Sequence, residues 1–335
     1  MSMRTRRLGR AGPNVGALGL GCMGMSPGVY GPSDEAESIA TLRAAIDAGV
    51  TLFDTGDFYG MGHNELLIRR ALEGVPRSNV VISVKFGPMR DPSWAFLGND
   101  GRPQAVKNFL AYSLRRLNTD YVDIYRPARL DPVVPIEDTV GAIADMVRAG
   151  YVRYVGLSEV GAETLRRAHA VHPICDLQIE YSLMSRGIEA SILPAARELG
   201  IGITAYGVLS RGLLSGRVPA SKTKGDIRVI RMPRFAQGNV DQNLRLVETL
   251  REIGMAKGTT PAQLAVAWVL SRGDDIVPIV GARRRDQLSE SLGALSLSLD
   301  AAELARIEAA VSPGLTAGAR YDPAQQAHLD SEAHP

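Results

Sequence analysis

Val50-Thr51-Leu52-Phe53-Asp54-Thr55-Gly56-Asp57-Phe58-Tyr59-Gly60 decides how the chain is read. It opens as an apolar, β-branched run, Asp54 places a carboxylate at the end of that run, and Gly56 and Asp57 turn the chain toward a phenol at Tyr59. The pattern predicts a buried strand over residues 50–53 that ends on a charge and runs straight into a loop. A carboxylate there is costly unless a cation or hydrogen-bond donors stabilise it. A partner for Asp54 must then lie elsewhere in the chain.

On both sides of this stretch strands and helices alternate. A helix capped by Ser33 or Asp34 runs to Ala48 and stops at Gly49, and another covers residues 64–72. Further strands are expected at 18–25, 80–84, 121–125, 152–157, 176–179, 201–205 and 276–280. Helices are expected at 103–117, from 135, at 162–170, 188–199, 240–257 and 261–271. Turn residues Gly9 and Gly12-Pro13-Asn14 predict a β-hairpin within residues 4–18.

About eight strand–helix repeats without a linker imply parallel strands with helical crossovers. A doubly wound sheet would carry a Gly-rich turn opening a helix behind its first strand, and Gly19, Gly21 and Gly24 have no such helix directly behind them. The prediction is an α/β fold, a TIM-type (β/α)8 barrel occupying residues 1–335 as one domain. It carries an N-terminal β-hairpin, a long irregular loop at 207–239, extra C-terminal helices and an irregular tail from about residue 313.

Composition narrows the function classes. With 38 basic and 36 acidic side chains the net charge is +2, which offers no global field for nucleic acid or an anionic membrane. No apolar run nears the roughly 18 residues of a membrane span. The first ten residues are basic but lack the apolar core of a secretory signal. Cys22 and Cys175 are far apart and have no metal or redox spacing. Free thiols in a reducing compartment are expected, and with them a cytoplasmic protein without a metal.

Position carries the functional argument. Asp54, Lys85, Ser158, Gln178 and Tyr206 each stand at or near the C-terminal end of a different expected strand. In a barrel those ends converge on one face, where the loops build an active site. Lys85, on the strand adjacent to Asp54, is the candidate partner for its charge. The same ammonium is expected to lower the pKa of Tyr59 from about 10, tuning a phenol that can protonate a carbonyl oxygen. Taken singly, each residue has a plainer reading as a turn cap, a packed aromatic or a lysine reaching solvent. Their shared placement argues for a site.

Several segments then resemble the aldo-keto reductase superfamily, in order and over nearly the whole chain. They are Phe53-Asp54-Thr55-Gly56-Asp57-Phe58-Tyr59-Gly60, Val84-Lys85-Phe86, Arg153-Tyr154-Val155-Gly156-Leu157-Ser158-Glu159, Gln178-Ile179-Glu180-Tyr181-Ser182 and Ala205-Tyr206-Gly207-Val208-Leu209-Ser210-Arg211-Gly212. The resemblance implies that Tyr59 is the proton donor, Lys85 its pKa-lowering partner and Asp54 the counter-ion of the lysine. It also implies a nicotinamide cofactor extended over the barrel mouth. Tyr206 would stack on its ring, Ser158 and Gln178 would hold its carboxamide, and Gly207, Leu209 and Arg211 would contact it from the loop behind strand seven. Gly281-Ala282-Arg283-Arg284-Arg285-Asp286-Gln287-Leu288-Ser289-Glu290-Ser291 resembles the adenosine-phosphate segment. Its implied contacts are Gly281, Arg283, Arg284, Gln287 and Ser291, and arginines on a 2′-phosphate imply NADPH. Basic side chains at a helix start oppose the helix dipole, and a bound anion would offset that cost. The 207–239 loop carries Arg217, Lys222, Lys224, Arg228, Arg231 and Arg234 against Asp226, and is a candidate cover for the pyrophosphate.

One family residue is missing. In Tyr125-Arg126-Pro127-Ala128-Arg129-Leu130-Asp131-Pro132, Ala128 stands where the family has a histidine. None of the five histidines maps there, although His63 lies in a loop that can approach. Arg126, Arg129 or water are the candidate substitutes, and Tyr30, Phe86 and Trp94 the aromatic candidates for the pocket. The expected function is NADPH-dependent reduction of a small aldehyde or ketone to an alcohol. The alternative is a nicotinamide-binding or redox-sensing protein with little turnover. A Schiff-base lyase at Lys85 is disfavoured because Asp54 keeps the amine charged.

Overall fold

The chain opens with a short antiparallel hairpin, β1 (Thr5–Arg7) with β2 (Asn14–Gly16), in a computed structural model that describes residues 3–218 and 226–333. The alternation follows: β3 (Gly19–Gly21), α1 (Glu35–Asp47), β4 (Leu52–Gly56), α2 (His63–Ala71) and β5 (Val81–Phe86). A second hairpin, β6 (Pro88–Arg90) with β7 (Phe96–Asn99), precedes α3 (Pro103–Leu117). Next come β8 (Val122–Pro127), α4 (Ile136–Arg148), β9 (Val152–Ser158), α5 (Ala162–Val171), β10 (Ile174–Glu180), α6 (Ile192–Leu199) and β11 (Gly202–Tyr206). The C-terminal part holds α7 (Ile227–Arg231), α8 (Asn239–Met255), α9 (Pro261–Ser271), β12 (Ile276–Gly281), α10 (Arg285–Gly293), α11 (Ala301–Ala310), α12 (Pro323–Gln326) and α13 (Asp330–Ala333). Eight strands close in the order β3-β4-β5-β8-β9-β10-β11-β12 and back to β3, every neighbour parallel. This is the predicted barrel.

Local chemistry starts and stops the helices where the sequence marks them. Asp34 caps α1 by accepting from Glu37 N at 2.9 Å, and Thr260 with Gln263, and Asp300 with Glu303, form capping boxes at α9 and α11. Asn118 ends α3 with φ of 54° and Gly200 ends α6 with φ of 71°. The helix expected over 188–199 is instead a single 3₁₀ turn followed by α6.

Side-chain parity sorts the core into two layers. Phe53, Ile82, Val84, Phe86, Tyr125, Leu157, Ile179 and Ile203 point outward into the apolar layer under the helices. Leu52, Ile124, Cys175, Val277 and Ile279 point inward and, with Leu8 and Val15 from the first hairpin, plug the N-terminal end of the barrel. Gly9 lets that plug seat. With φ of +64°, a Cβ there would stand 2.3 Å from the Cys175 carbonyl oxygen.

The same parity carries polar residues inward nearer the mouth. Asp54 lies opposite Ser83 and Gly21, Lys85 opposite Gly56 and Arg126, and Gln178 opposite Ser158 and Thr204. Strand β4 continues two residues past Asp54, so the carboxylate is an inward-facing strand residue rather than the strand's last one.

Candidate active site

Asp54 and Lys85 form an ion pair inside the barrel mouth, their side chains only 6% and 5% exposed. The expected partner is therefore the observed one. The second carboxylate oxygen accepts from Ser83 Oγ at 3.0 Å and from Gln178 Nε2 at 2.7 Å. Lys85 Nζ also donates to Gln178 Oε1 at 3.0 Å. These bonds satisfy a pair of buried charges that would otherwise be expensive. Burial pushes the Lys85 ammonium down from its ordinary range, and Asp54 opposes that shift.

A second ion pair lies below the first. Arg126 and Asp176 meet at 3.0 Å with neither side chain exposed, and Arg126 also donates to Ser83 Oγ at 3.0 Å. Ser83 thus links the two pairs. Arg126, entertained above as a substitute for the missing histidine, is committed to this interior layer instead.

Tyr59 packs edge-on against Phe58 at 4.8 Å, and Lys85 Nζ stands 5.1 Å from the centre of its ring. The expected lowering of its pKa does not occur. Burial, and next the Asp54 charge, push the phenol well above its usual range, with Arg129 opposing. The physical reason is that burial penalises the phenolate more than the nearby cation Arg129 favours it.

Ala128 is buried, and its backbone N–H donates to Phe86 O at 2.8 Å. His63 does not replace the missing imidazole. It opens α2, bonds Ser26 Oγ at 3.0 Å and lies 3.7 Å from Glu35. Arg129 faces the mouth, donating to Ala128 O at 2.6 Å and reaching Tyr321 Oη at 3.4 Å. Phe86 is not a pocket residue: it points out of the barrel and stacks on Tyr125 at 4.4 Å. Tyr30 and Trp94 do lie in the loops at the mouth, Tyr30 under the Arg228 guanidinium and Trp94 against Gly28.

The tail from about residue 313 contains α12 and α13 and packs against the mouth, which the sequence reading missed. Arg320 ion-pairs with Glu159 at 2.6 Å, and Ser331 Oγ donates to the same carboxylate at 2.6 Å. Tyr206 Oη donates to Glu159 Oε1 at 2.7 Å and shares a hydrogen bond of 2.8 Å with Tyr321 Oη. Burial alone would raise the Glu159 pKa, but Arg320 and its neighbours hold the carboxyl well below the usual range. Ser158 is buried beside this cluster, and its hydroxyl has no hydrogen-bond partner among the described residues. Gly207 has φ of +65°, where a Cβ would crowd Glu180, Leu209 packs on the core, and Arg211 reaches Glu180 at 3.4 Å.

The proposed phosphate segment folds as expected around the start of α10. Arg283 donates to the carbonyls of Tyr30 and Pro32 at 3.0 and 3.1 Å and has no carboxylate partner among the described residues. Arg284 and Arg285 are held by Asp286 and Glu37, both at 2.9 Å. Gln287 Oε1 accepts from Arg283 N at 3.0 Å, buried Ser291 donates to Gln287 O at 3.1 Å, and Gly281 leaves open space. Burial, and next the charge of Arg228, push the Arg283 guanidinium down. An unpaired guanidinium crowded by another cation is a donor set that fits a phosphate. Lys222 and Lys224 of the covering loop lie outside the described residues.

A closed (β/α)8 barrel with an aspartate, tyrosine and lysine gathered at its mouth defines a class of carbonyl-reducing oxidoreductases that bind nicotinamide cofactors. The chain belongs to the aldo/keto reductase family, whose model matches residues 17–312. It is similar to "Probable aldo-keto reductase 1" of Glycine max, 41% identical over 315 residues, 94% of this chain and 91% of that protein. Among solved structures it resembles the glycerol dehydrogenase of Gluconobacter oxydans, with a TM-score of 0.83 and 28% identity over 94% of this chain and 98% of that one. It also resembles an aldo-keto reductase of Bacillus halodurans, TM-score 0.77 and 26% identity, covering 92% of this chain and 97% of that one.

Proposed function

We propose that the protein is a cytoplasmic, NADPH-dependent reductase of small aldehydes or ketones in which Tyr59 is the proton donor. The observation that carries the reading is Tyr59 buried over the balanced Asp54–Lys85 pair. A phenol holds its proton at neutral pH, as a general acid must, and burial here makes that proton harder to release. When that proton leaves, Arg129 is the cation that favours the phenolate. Asp54 keeps Lys85 protonated and in place. The cofactor, when bound, supplies the hydride. Tyr206, fixed at its hydroxyl by Glu159 and Tyr321, offers the ring face for the nicotinamide, and Ser158 a free hydroxyl. Gln178 is turned into the Asp54–Lys85 pair, so its role toward a carboxamide requires it to share those bonds. Arg283 is the residue for a 2′-phosphate, and Arg284 contributes less because Asp286 already holds it.

NADPH oxidation across an aldehyde and ketone panel tests this. Tyr59→Phe is expected to lower kcat by about 10²–10⁴ on any reduced substrate, and a mutant as fast as the wild type sinks the mechanism. Ala128 supports a second reading, a cofactor-binding protein with little turnover, which predicts tight NADPH binding and negligible rates throughout the panel.

A further inference from the structure

Among the described residues most arginines around the mouth are matched by acids; Arg283, assigned above to a 2′-phosphate, and Arg129 are not. Arg211 and Arg234 share Glu180 at 3.4 Å, Arg320 holds Glu159 at 2.6 Å, and Arg126 in the layer below holds Asp176 at 3.0 Å. Arg129 has no carboxylate within ion-pair reach among the described residues. Its Nη1 donates to Ala128 O at 2.6 Å, its Nη2 meets Tyr321 Oη at a long 3.4 Å, and its Nε has no partner there. Burial opposes its charge and Tyr321, Tyr206 and Glu159 offset that at longer range, but none of them fills its open donors, which a bound anion would.

Position identifies the ligand. Arg129 follows Ala128 at the mouth end of β8, bonds Tyr321, which shares a hydrogen bond with Tyr206, and is the cation whose charge opposes the raised pKa of Tyr59. A neutral carbonyl oxygen would use Tyr59 as its donor and leave the open guanidinium donors unfilled. A carboxylate would match its planar donor fork.

We propose that Arg129 determines substrate specificity by binding an anionic group next to the reacting carbonyl, so that the substrates are 2-oxo acids. The inference rests on the Tyr59 reading above. In the reaction the carbonyl carbon gains the hydride, its oxygen gains the Tyr59 proton, and the product is the 2-hydroxy acid with its carboxylate unchanged.

Phenylglyoxylate and its methyl ester differ in the charge that Arg129 is proposed to bind. The full-length wild type is expected to favour the acid in kcat/KM. Arg129→Met should lower the acid-to-ester ratio on the order of 10- to 100-fold, and Arg129→Lys should restore part of it. Mandelate binding, followed by calorimetry with and without NADP+, should weaken in Arg129→Met by a similar factor. An equal fall for acid and ester, or a wild type that prefers the ester, overturns the proposal. So does a loss of NADPH affinity in Arg129→Met with the ratio unchanged, which would assign the charge to the cofactor. If the wild type reduces neither compound nor any member of the aldehyde and ketone panel, the carbonyl-reductase reading fails on its own. Mandelate binding that depends on Arg129 would still uphold the anion site, and mandelate binding equally to wild type and Arg129→Met would remove it.

Discussion

Asp54 accepts from Lys85, Ser83 and Gln178 at once, so it is the acceptor around which inward-facing polar residues of three strands are arranged. Its removal leaves a buried ammonium with a single amide acceptor. Asp54→Ala is therefore expected to destabilise the fold by about 3–5 kcal/mol, read by urea unfolding, before any effect on turnover. A loss under about 1 kcal/mol would mean that solvent reaches Lys85. Asp57, three residues on, is the contrary case. It is buried, and burial, followed by the charge of Glu65, pushes its carboxyl well above the usual range despite the nearby Arg116. A carboxyl whose folded pKa is raised gives stability that is complete below its unfolded value and lost as pH rises through the folded one. As pH rises above the ordinary carboxyl range, the wild type should lose melting temperature that Asp57→Asn retains, a gap of a few degrees once the carboxyl has ionised. Equal slopes for the two proteins would disprove this account of Asp57.

Among the elements, the tail carries the least obvious contribution. Arg320 lies in an irregular segment, yet its guanidinium is the main cationic partner of Glu159, which in turn anchors the Tyr206 hydroxyl. Arg320→Met should expose the tail to limited proteolysis and cost about 3–5 kcal/mol at a buried, newly unpaired carboxylate. It should also raise KM for the cofactor through the loosened Tyr206. Unchanged proteolysis would show that Ser331 alone holds Glu159. None of this pairing was legible beforehand, because a contact across 161 positions between a strand end and an aperiodic tail leaves no spacing to read. The hairpin of β6 and β7 escaped for a different reason: strands of three and four residues are too short to show an alternation. The strands and helices were legible, since parallel strands covered on both faces are near-continuous apolar runs. Their ends were underestimated where the ladder continues past the last apolar residue, as at Thr55 and Gly56. Phe86 was misplaced by proximity: counting by twos from Lys85 turns it outward, away from the pocket.

The two ends of the barrel are built on opposite principles. One is closed by Leu8, Val15 and the inward apolar ring, while the other concentrates matched ion pairs and, among the described residues, leaves Arg129 and Arg283 without a carboxylate. A ligand that binds only the folded chain stabilises it by mass action, about 2.7 kcal/mol at a hundredfold excess over Kd, or roughly 4 °C for a chain of this length. The unmatched charge at Arg283 makes that gain depend on a 2′-phosphate. At equal concentrations NADPH should raise the melting temperature more than NADH does. Arg283→Ala should bring the NADPH shift down to the NADH value, and Arg284→Ala should change it less, because Asp286 already neutralises that side chain. Equal shifts from the two cofactors in the wild type would remove the 2′-phosphate from Arg283 and return that residue to its contacts with Tyr30 and Pro32.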